Sequence, residues 1–363
     1  MAFNLTMKSK TAEATVSLST AAIQHFLNVS SPVLIKRTTV PILKYARIFT
    51  QSGVGYLRLT NLDCYVDMAI QSSGIGEIDL AIEYSALSDI LSKAPKCMLL
   101  VEREGNTLTF KMNSTIYGKI ECAPGKDCPS LIIPLNTQEG GVQLTDFDIS
   151  FVHKYVARLC IEDNEYTALR GILLELSGNS YGFAATDRNM LIYTNLVENA
   201  LFRCALPPVA FKVATLNGES GILYLYKEYY RLECGKVAVY GKYFGGGYPD
   251  FHKLVYTEYD HEHKVNVGEL RKELKRLCSV TPFTDKGICP VMLTYDSEYL
   301  WVKPVPDDYE YDKGGVKMDA VRILELLERF DDNSTVAFKS SRIMSRPSLW
   351  IDNRATTMFM PLR

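Results

Sequence analysis

One pattern occurs three times along the chain: an amphipathic helix, a short turn of polar or small residues, and then an apolar strand. The copies are YSALSDILSKAPKCMLLVE at 84–102, VAFKVATLNGESGILYLY at 209–226 and DAVRILELLERFDDNSTVAFK at 319–339, about 115 to 125 residues apart. That interval is an ordinary domain size, and recurrence at a fixed period constrains architecture more than any local propensity does. Each copy leads into period-two stretches, NTLTFKMNSTIYGKIEC, YYRLECGKVAVYGKYF and RPSLWIDNRATTMFMPL, which read as antiparallel hairpins. A second helix precedes each block. Over 19–29, Ser19 or Thr20 offers a cap, and Ile23, Phe26 and Leu27 share a face. Over 145–160 the stripe is Ile149, Val152, Val156 and Leu159, and over 266–278 it is Val267, Leu270, Leu274 and Leu277.

These elements predict an α+β protein of three similar domains, each with two helices packed on antiparallel sheets of about eight strands. The boundaries fall at 1–140, after the Gly-Gly of TQEGGVQL, at 141–260, ending in the polar stretch TEYDHEHK, and at 261–363. A chain of 363 residues suits two or three cores better than one.

Net charge is −2, so a nucleic-acid partner would require the positive charge to be gathered on one surface. The helices offer such a surface. Lys154 and Arg158 stand four apart, opposite an apolar stripe, and Arg271 with Lys275 and Lys272 with Arg276 repeat the step. Lys93, Lys212, Lys317, Arg322 and Arg329 lie on or beside the other helices. On any one helix the same residues would serve as a plain solvated face, and Glu269, Glu273, Glu325 and Glu328 make the sorting incomplete.

Catalytic signatures are missing. There is no phosphate loop, no HExxH and no GxSxG, and Gly245–Gly247 run into Tyr248 and Pro249, which reads as a turn. His261, Glu262 and His263 sit in a charged stretch that reads as a solvated linker and not as a metal ligand set. Nine scattered cysteines with no two-residue spacing point to reduced, mostly buried thiols. No apolar run is long enough to span a bilayer, and the first residues lack the apolar core of a secretory signal. The expectation is a cytoplasmic protein that is not an enzyme and needs no cofactor or metal.

Four stretches, in order and at domain spacing, resemble the beta sliding clamp family of bacterial DNA polymerase III. They are TTVPILKYARIFTQSGVGYLRLTNLDCYVDMAI from Thr38, TALRGILLELSGNSYGFAATDRNMLIY from Thr167, GGGYPDFHKLV from Gly245, and the ending MFMPLR. The resemblance implies three similar domains, a head-to-tail homodimer closed into a ring with helices inside and sheets outside, and double-stranded DNA passing through without sequence preference. It further implies a cleft that receives short linear motifs of the replicative polymerase, the clamp loader and repair proteins, and no catalytic activity. A clamp-fold regulator or decoy for such motifs, which does not encircle DNA, is the alternative.

On this resemblance Arg37, before the Pro-Ile-Leu, joins Lys93, Lys154, Arg158, Lys212, Arg271, Lys272, Lys275, Arg276 and Arg322 on the DNA side. The cleft would comprise Leu169, Thr186, Asp187, Met190, Leu191, Pro249, Lys253, Leu254 and the tail Met360, Pro361, Leu362 and Arg363. Core packing alone would also explain Leu169, Leu191 and Leu254. Two departures touch the cleft. Arg188-Asn189-Met190 stands where the family commonly has Gly-His-Arg, and the usual final Leu is missing after Arg363.

Overall fold

The computed structural model describes residues 12–360 apart from 71, 135, 137, 162–164, 256–257, 286, 296–298, 307–314 and 342–347. The chain forms two compact units, one of residues up to Ser150 with Val209–Tyr243, the other of Phe151–Pro208 with the residues from Phe244 onward.

The first unit holds two antiparallel sheets. One has the strand order Ser72–Ile75, Ala14–Ser19, Met98–Glu104, Thr107–Met112, Thr115–Glu121. The other runs Ala123–Pro124, Asp79–Glu83, Tyr45–Gln51, Val54–Thr60, Cys64–Ile70, Val237–Lys242, Tyr229–Cys234, Gly221–Tyr226, Gln138–Leu144. Gly140 and Gly141 are therefore inside a strand, beside a register shift, and not in a connecting segment. Phe26, Phe110, Tyr230 and Phe211 are among the largest fully buried side chains of this unit.

Two of its helices begin at side-chain caps supplied by the sequence. Helix α1 (Thr20–Ser30) starts at Ser19, whose hydroxyl accepts from the Ala22 N–H. Ile23, Phe26 and Leu27 are buried as their spacing predicts. Helix α2 spans Tyr84–Leu91. At α3 (Asp146–Phe151) a reciprocal cap forms: Asp148 N–H donates to the Thr145 hydroxyl, and Thr145 N–H donates to the Asp148 carboxylate. The stripe then continues through a wider turn at Val152–Val156 and a tighter one at Ala157–Leu159, so 145–160 is helical but not one regular helix. Helix α4 (Pro208–Asn217) opens on a proline and closes at Gly218, whose φ of +72° lets its N–H return to the Ala214 carbonyl.

The second unit is built on an eight-stranded antiparallel sheet, Phe202–Leu206, Ile172–Ser177, Ser180–Thr186, Met190–Tyr193, Thr356–Phe359, Ser348–Ile351, Thr335–Ser340, His261–Asn266. A three-stranded sheet, Leu300–Pro304, Pro290–Tyr295, Val316–Asp319, accompanies it. Asn266 caps α5 (Val267–Val280) and Asp319 caps α6 (Ala320–Leu327). Val267, Leu270, Leu274 and Leu277 of α5 are all buried, each removal from water being worth about 1.5 to 3 kcal/mol.

The expected linker at His261–His263 is corrected by this sheet. These residues begin a strand paired with Thr335–Ser340. Strand alternation sends His261 and His263 to one face, where the His261 ring lies 4.5 Å from that of Tyr295. Glu262 takes the other face and pairs with Lys339 at 2.9 Å, so the three cannot converge on one ion.

Candidate functional site

The Thr186–Leu191 segment is a tight turn between two strands, and its polar residues serve the backbone. Asp187 accepts from the Asn189 and Met190 N–H groups at 3.0 and 2.7 Å. The Thr186 hydroxyl donates to the Met190 carbonyl at 2.7 Å and accepts from Arg188 N–H at 3.1 Å. Arg188 has φ +74°, the left-handed region that glycine occupies without strain. The departure from the usual glycine thus keeps the turn at a backbone cost, while the Arg188 guanidinium lies over the Tyr166 ring at 4.7 Å.

After the turn, Met190–Tyr193 pairs with Thr356–Phe359: Met190 opposite Phe359, Leu191 opposite Met358, Ile192 opposite Thr357. Residues opposite one another share a face, so the strand divides the predicted cleft set. Leu191 and Met358 join Leu173, Ala184, Tyr193, Phe251 and Leu349 in a buried cluster bordered by half-buried Tyr248, Val255, Tyr259 and Ile351. Met190 and Ile192 face a cavity against α6 instead. Met190 is therefore not on the Leu191 side, which corrects the single groove expected from sequence.

Leu169 and Leu191 are buried, at 2 and 5% exposure, and so present no open surface of their own. The accessible apolar surface is Leu254 at 48% and Met360 at 44%, with exposed Pro249 and Lys253 on the same segment as Leu254. Met360 is tied to the turn, its N–H donating to the Asn189 carbonyl at 2.9 Å. Pro361, Leu362 and Arg363 lie outside the described residues.

Sequence reasoning missed what anchors the Pro249–Leu254 segment. Glu175, 2% exposed in an otherwise apolar strand, is 2.8 Å from Arg203 on the neighbouring strand and 2.9 Å from His252 on the short helix Phe251–Leu254. One acid within ILLELS was the available signal, since a buried carboxylate needs a partner. Phe251 packs on Tyr193 with centroids 5.6 Å apart. Lys253, 3.3 Å from Asp250, holds that carboxyl below its ordinary range. Burial drives the Tyr248 phenol far above its own.

The basic residues divide by type. Arg37, Lys93, Lys154, Lys212, Lys272 and Lys275 are exposed. The arginines other than Arg37 are engaged. Arg158 pairs with Glu328 at 2.7 Å and Arg276 with Glu273 at 2.6 Å. Arg322 is 3.2 Å from both Asp187 and Glu325, which puts it beside the turn. Arg271 is not on a solvated face: its guanidinium donates to the Leu327 and Phe330 carbonyls at 2.7 and 2.9 Å and pairs with Asp332, closing the end of α6. Arg329, read as an outer basic residue, is buried against Asp352 at 2.7 Å. Among the described residues no three potential metal ligands cluster, and no helix is long and apolar enough to cross a membrane.

No family model matches the sequence, and no curated relative does. Solved structures do match. The DnaN sliding clamp (DNA polymerase III subunit beta) of Bartonella birtlesii, bound to griselimycin, aligns at 17% identity over 96% of this chain and 99% of its own, with TM-score 0.80. The Helicobacter pylori beta clamp bound to a DNA ligase peptide aligns at 18% identity over 96% and 100%, with TM-score 0.77. The Bacillus subtilis DNA polymerase sliding clamp aligns at 13% identity over 97% and 100%, with TM-score 0.80. Over at least 96% of its length, this chain has the fold of the bacterial DNA polymerase III beta sliding clamps.

Proposed function

We propose that the chain is a DNA polymerase processivity factor: a cytoplasmic, non-catalytic clamp of three domains (1–140, 141–260, 261–363) that closes as a head-to-tail homodimer around duplex DNA. The observation that carries this reading is the length-for-length likeness to sliding clamps, which leaves neither partner with an unmatched domain. Two sheet edges support the ring. Thr115–Glu121 ends one sheet of the first unit and exposes Ile116 at 62%, and Leu300–Pro304 ends the small sheet of the second and exposes Trp301 at 40%. Edge strands with exposed apolar side chains are natural joints between copies. Joining the first edge of one copy to the second edge of another, twice, closes a two-fold ring.

The exposed lysines on α4 and α5 and beside α2 and α3 would meet phosphates through mobile side chains, giving sequence-independent contact that does not stop sliding. Partner proteins would dock short apolar motifs over the exposed Leu254, Pro249 and Met360; that the Helicobacter pylori clamp is found bound to a DNA ligase peptide supports a peptide partner. A second reading, a regulator that binds such motifs without encircling DNA, draws on the ion pairs that occupy Arg158, Arg271, Arg276 and Arg322. Loading onto nicked circular DNA, followed by linearisation, separates the two. A ring stays on the circle and slides off the linear molecule. Equal retention on both, or on neither, would refute encirclement.

A further inference from the structure

The turn at Arg188–Asn189–Met190 is held from within by Thr186 and Asp187, and from outside by α6. Asp187 Oδ1 accepts from the Asn189 and Met190 N–H groups. Asp187 Oδ2 is buried and takes no hydrogen bond among the described residues, and the side chain is 6% exposed. The cation against this oxygen is Arg322 of α6, whose Nη2 lies 3.2 Å away. A buried carboxylate oxygen without a hydrogen bond is costly unless an opposite charge stands beside it. The other arm of Arg322, Nη1, leans on Glu325 at 3.2 Å, which keeps the guanidinium over the turn.

The hold matters more here than in a turn built on glycine, because Arg188 occupies the left-handed region at φ +74°. Its effect runs on to the exposed surface through one peptide unit. The Met190 N–H donates to Asp187 at 2.7 Å, and the Asn189 carbonyl of the same rigid, planar unit accepts from the Met360 N–H at 2.9 Å. Met360 is 44% exposed.

We infer that Arg322 is a positioning residue for the peptide-docking surface, acting through Asp187, and not a DNA contact. This rests on the docking role proposed for Leu254, Pro249 and Met360. Arg322 holds Asp187, Asp187 orients the Asn189–Met190 peptide unit, and that unit sets the backbone at Met360. Without Arg322 the turn and Met360 move away from the arrangement a docked motif needs, although Arg322 itself need not touch the motif.

Methionine-methyl NMR of the full chain without peptide tests the linkage alone. In Arg322→Gln the Met360 methyl signal, identified by its loss in Met360→Leu, should shift or broaden, while that of Met68 in the first unit should not change. Fluorescence titration with the DNA ligase peptide bound by the Helicobacter pylori clamp tests the consequence. Arg322→Gln should bind it about fivefold or more weakly, and Arg322→Lys, which keeps the charge, within about twofold of the unaltered chain. Asp187→Asn should weaken binding too, and adding Arg322→Gln to it should cost nothing further. If Arg322→Gln alone does not fold, Asp187→Asn carries the comparison, since it leaves no buried charge: the Met360 signal should shift and the affinity should fall. An unmoved Met360 signal, unchanged peptide affinity, or a further loss in the double variant would each overturn the inference. The docking reading would survive that result if Leu254→Asp still weakened the peptide. An Arg322→Gln protein that loses DNA association but keeps peptide affinity would return Arg322 to the DNA side. A peptide that the unaltered chain does not bind would remove the docking reading and this inference with it.

Discussion

Met190 and Leu191 are consecutive in one strand and look to opposite sides of the sheet: Leu191 sits opposite Met358 in the buried cluster, Met190 opposite Phe359 and against the cavity beside α6. On the proposed reading, a docking motif on the Leu191 side would meet the exposed Leu254, Met360 and Pro249, while Leu191 itself stays in the buried cluster.

Peptide binding and stability should accordingly separate at two leucines. Leu254→Asp changes an exposed side chain and should alter stability by no more than about 0.5 kcal/mol. It should weaken a clamp-binding peptide by tenfold or more, having removed an apolar contact of roughly 1.5 kcal/mol and put a charge in its place. Leu191→Ala should cost about 2 to 5 kcal/mol of stability by opening a cavity. Fluorescence titration and urea denaturation report the two quantities. Unchanged peptide affinity in Leu254→Asp would remove that residue from the groove.

Among the basic residues of α5, Arg271 and Lys275 should behave differently. Arg271→Glu removes two donors from the Leu327 and Phe330 carbonyls and sets a carboxylate beside Asp332. A loss of about 2 to 3 kcal/mol is expected, the scale of charge-assisted hydrogen bonds. Lys275→Glu and Lys154→Glu should leave stability within about 0.5 kcal/mol, yet reduce DNA association and flatten its salt dependence. Equal destabilisation by Arg271→Glu and Lys275→Glu would contradict the tethering role of Arg271.

For the ring joint, Ile116→Asp and Trp301→Asp should each turn the dimer into monomers at micromolar concentration by light scattering, since a charge on either edge meets the apolar partner of the other copy. Ile132→Asp, at a residue 84% exposed that belongs to neither edge strand, should leave the dimer intact. A dimer that survives both edge substitutions would place the joint elsewhere.

Alkaline pH should weaken the first unit through Cys64. Burial pushes this thiol up to about 12 from its ordinary 9.0, and the adjoining Tyr230 phenol is driven up by burial as well. A folded pKa above the unfolded one means that the neutral thiol supports the fold fully below pH 9. That support is lost as pH rises from 9 towards 12, at up to about 1.4 kcal/mol per pH unit for one group. Thermal melts across this range should show Cys64→Ala with a shallower decline than the unaltered chain. Parallel declines would mean that other groups carry the effect.

The repeat, the helices and the hairpins were legible because their signals are local. Ser19, Asn266 and Asp319 cap helices within three residues of themselves, and a stripe such as Val267, Leu270, Leu274 and Leu277 states which face is buried without reference to anything beyond the helix. The family pattern singled out Thr186, Asp187 and Leu191, and what Thr186 and Asp187 do is local in the same way, since both bond their immediate neighbours. Tertiary structure decided which charges are spoken for and which side of a sheet a residue serves. Arg271 finds its acceptors on the end of α6, Arg322 finds Asp187, Arg329 finds Asp352, and Glu175 finds Arg203 and His252, all across long stretches of sequence. His261 and His263 became a strand only because Thr335–Ser340 offers them an edge. A helical or strand period reports burial along one element, but an ion pair or a strand partner is set by which elements the fold brings together, and no periodicity within either element encodes that choice.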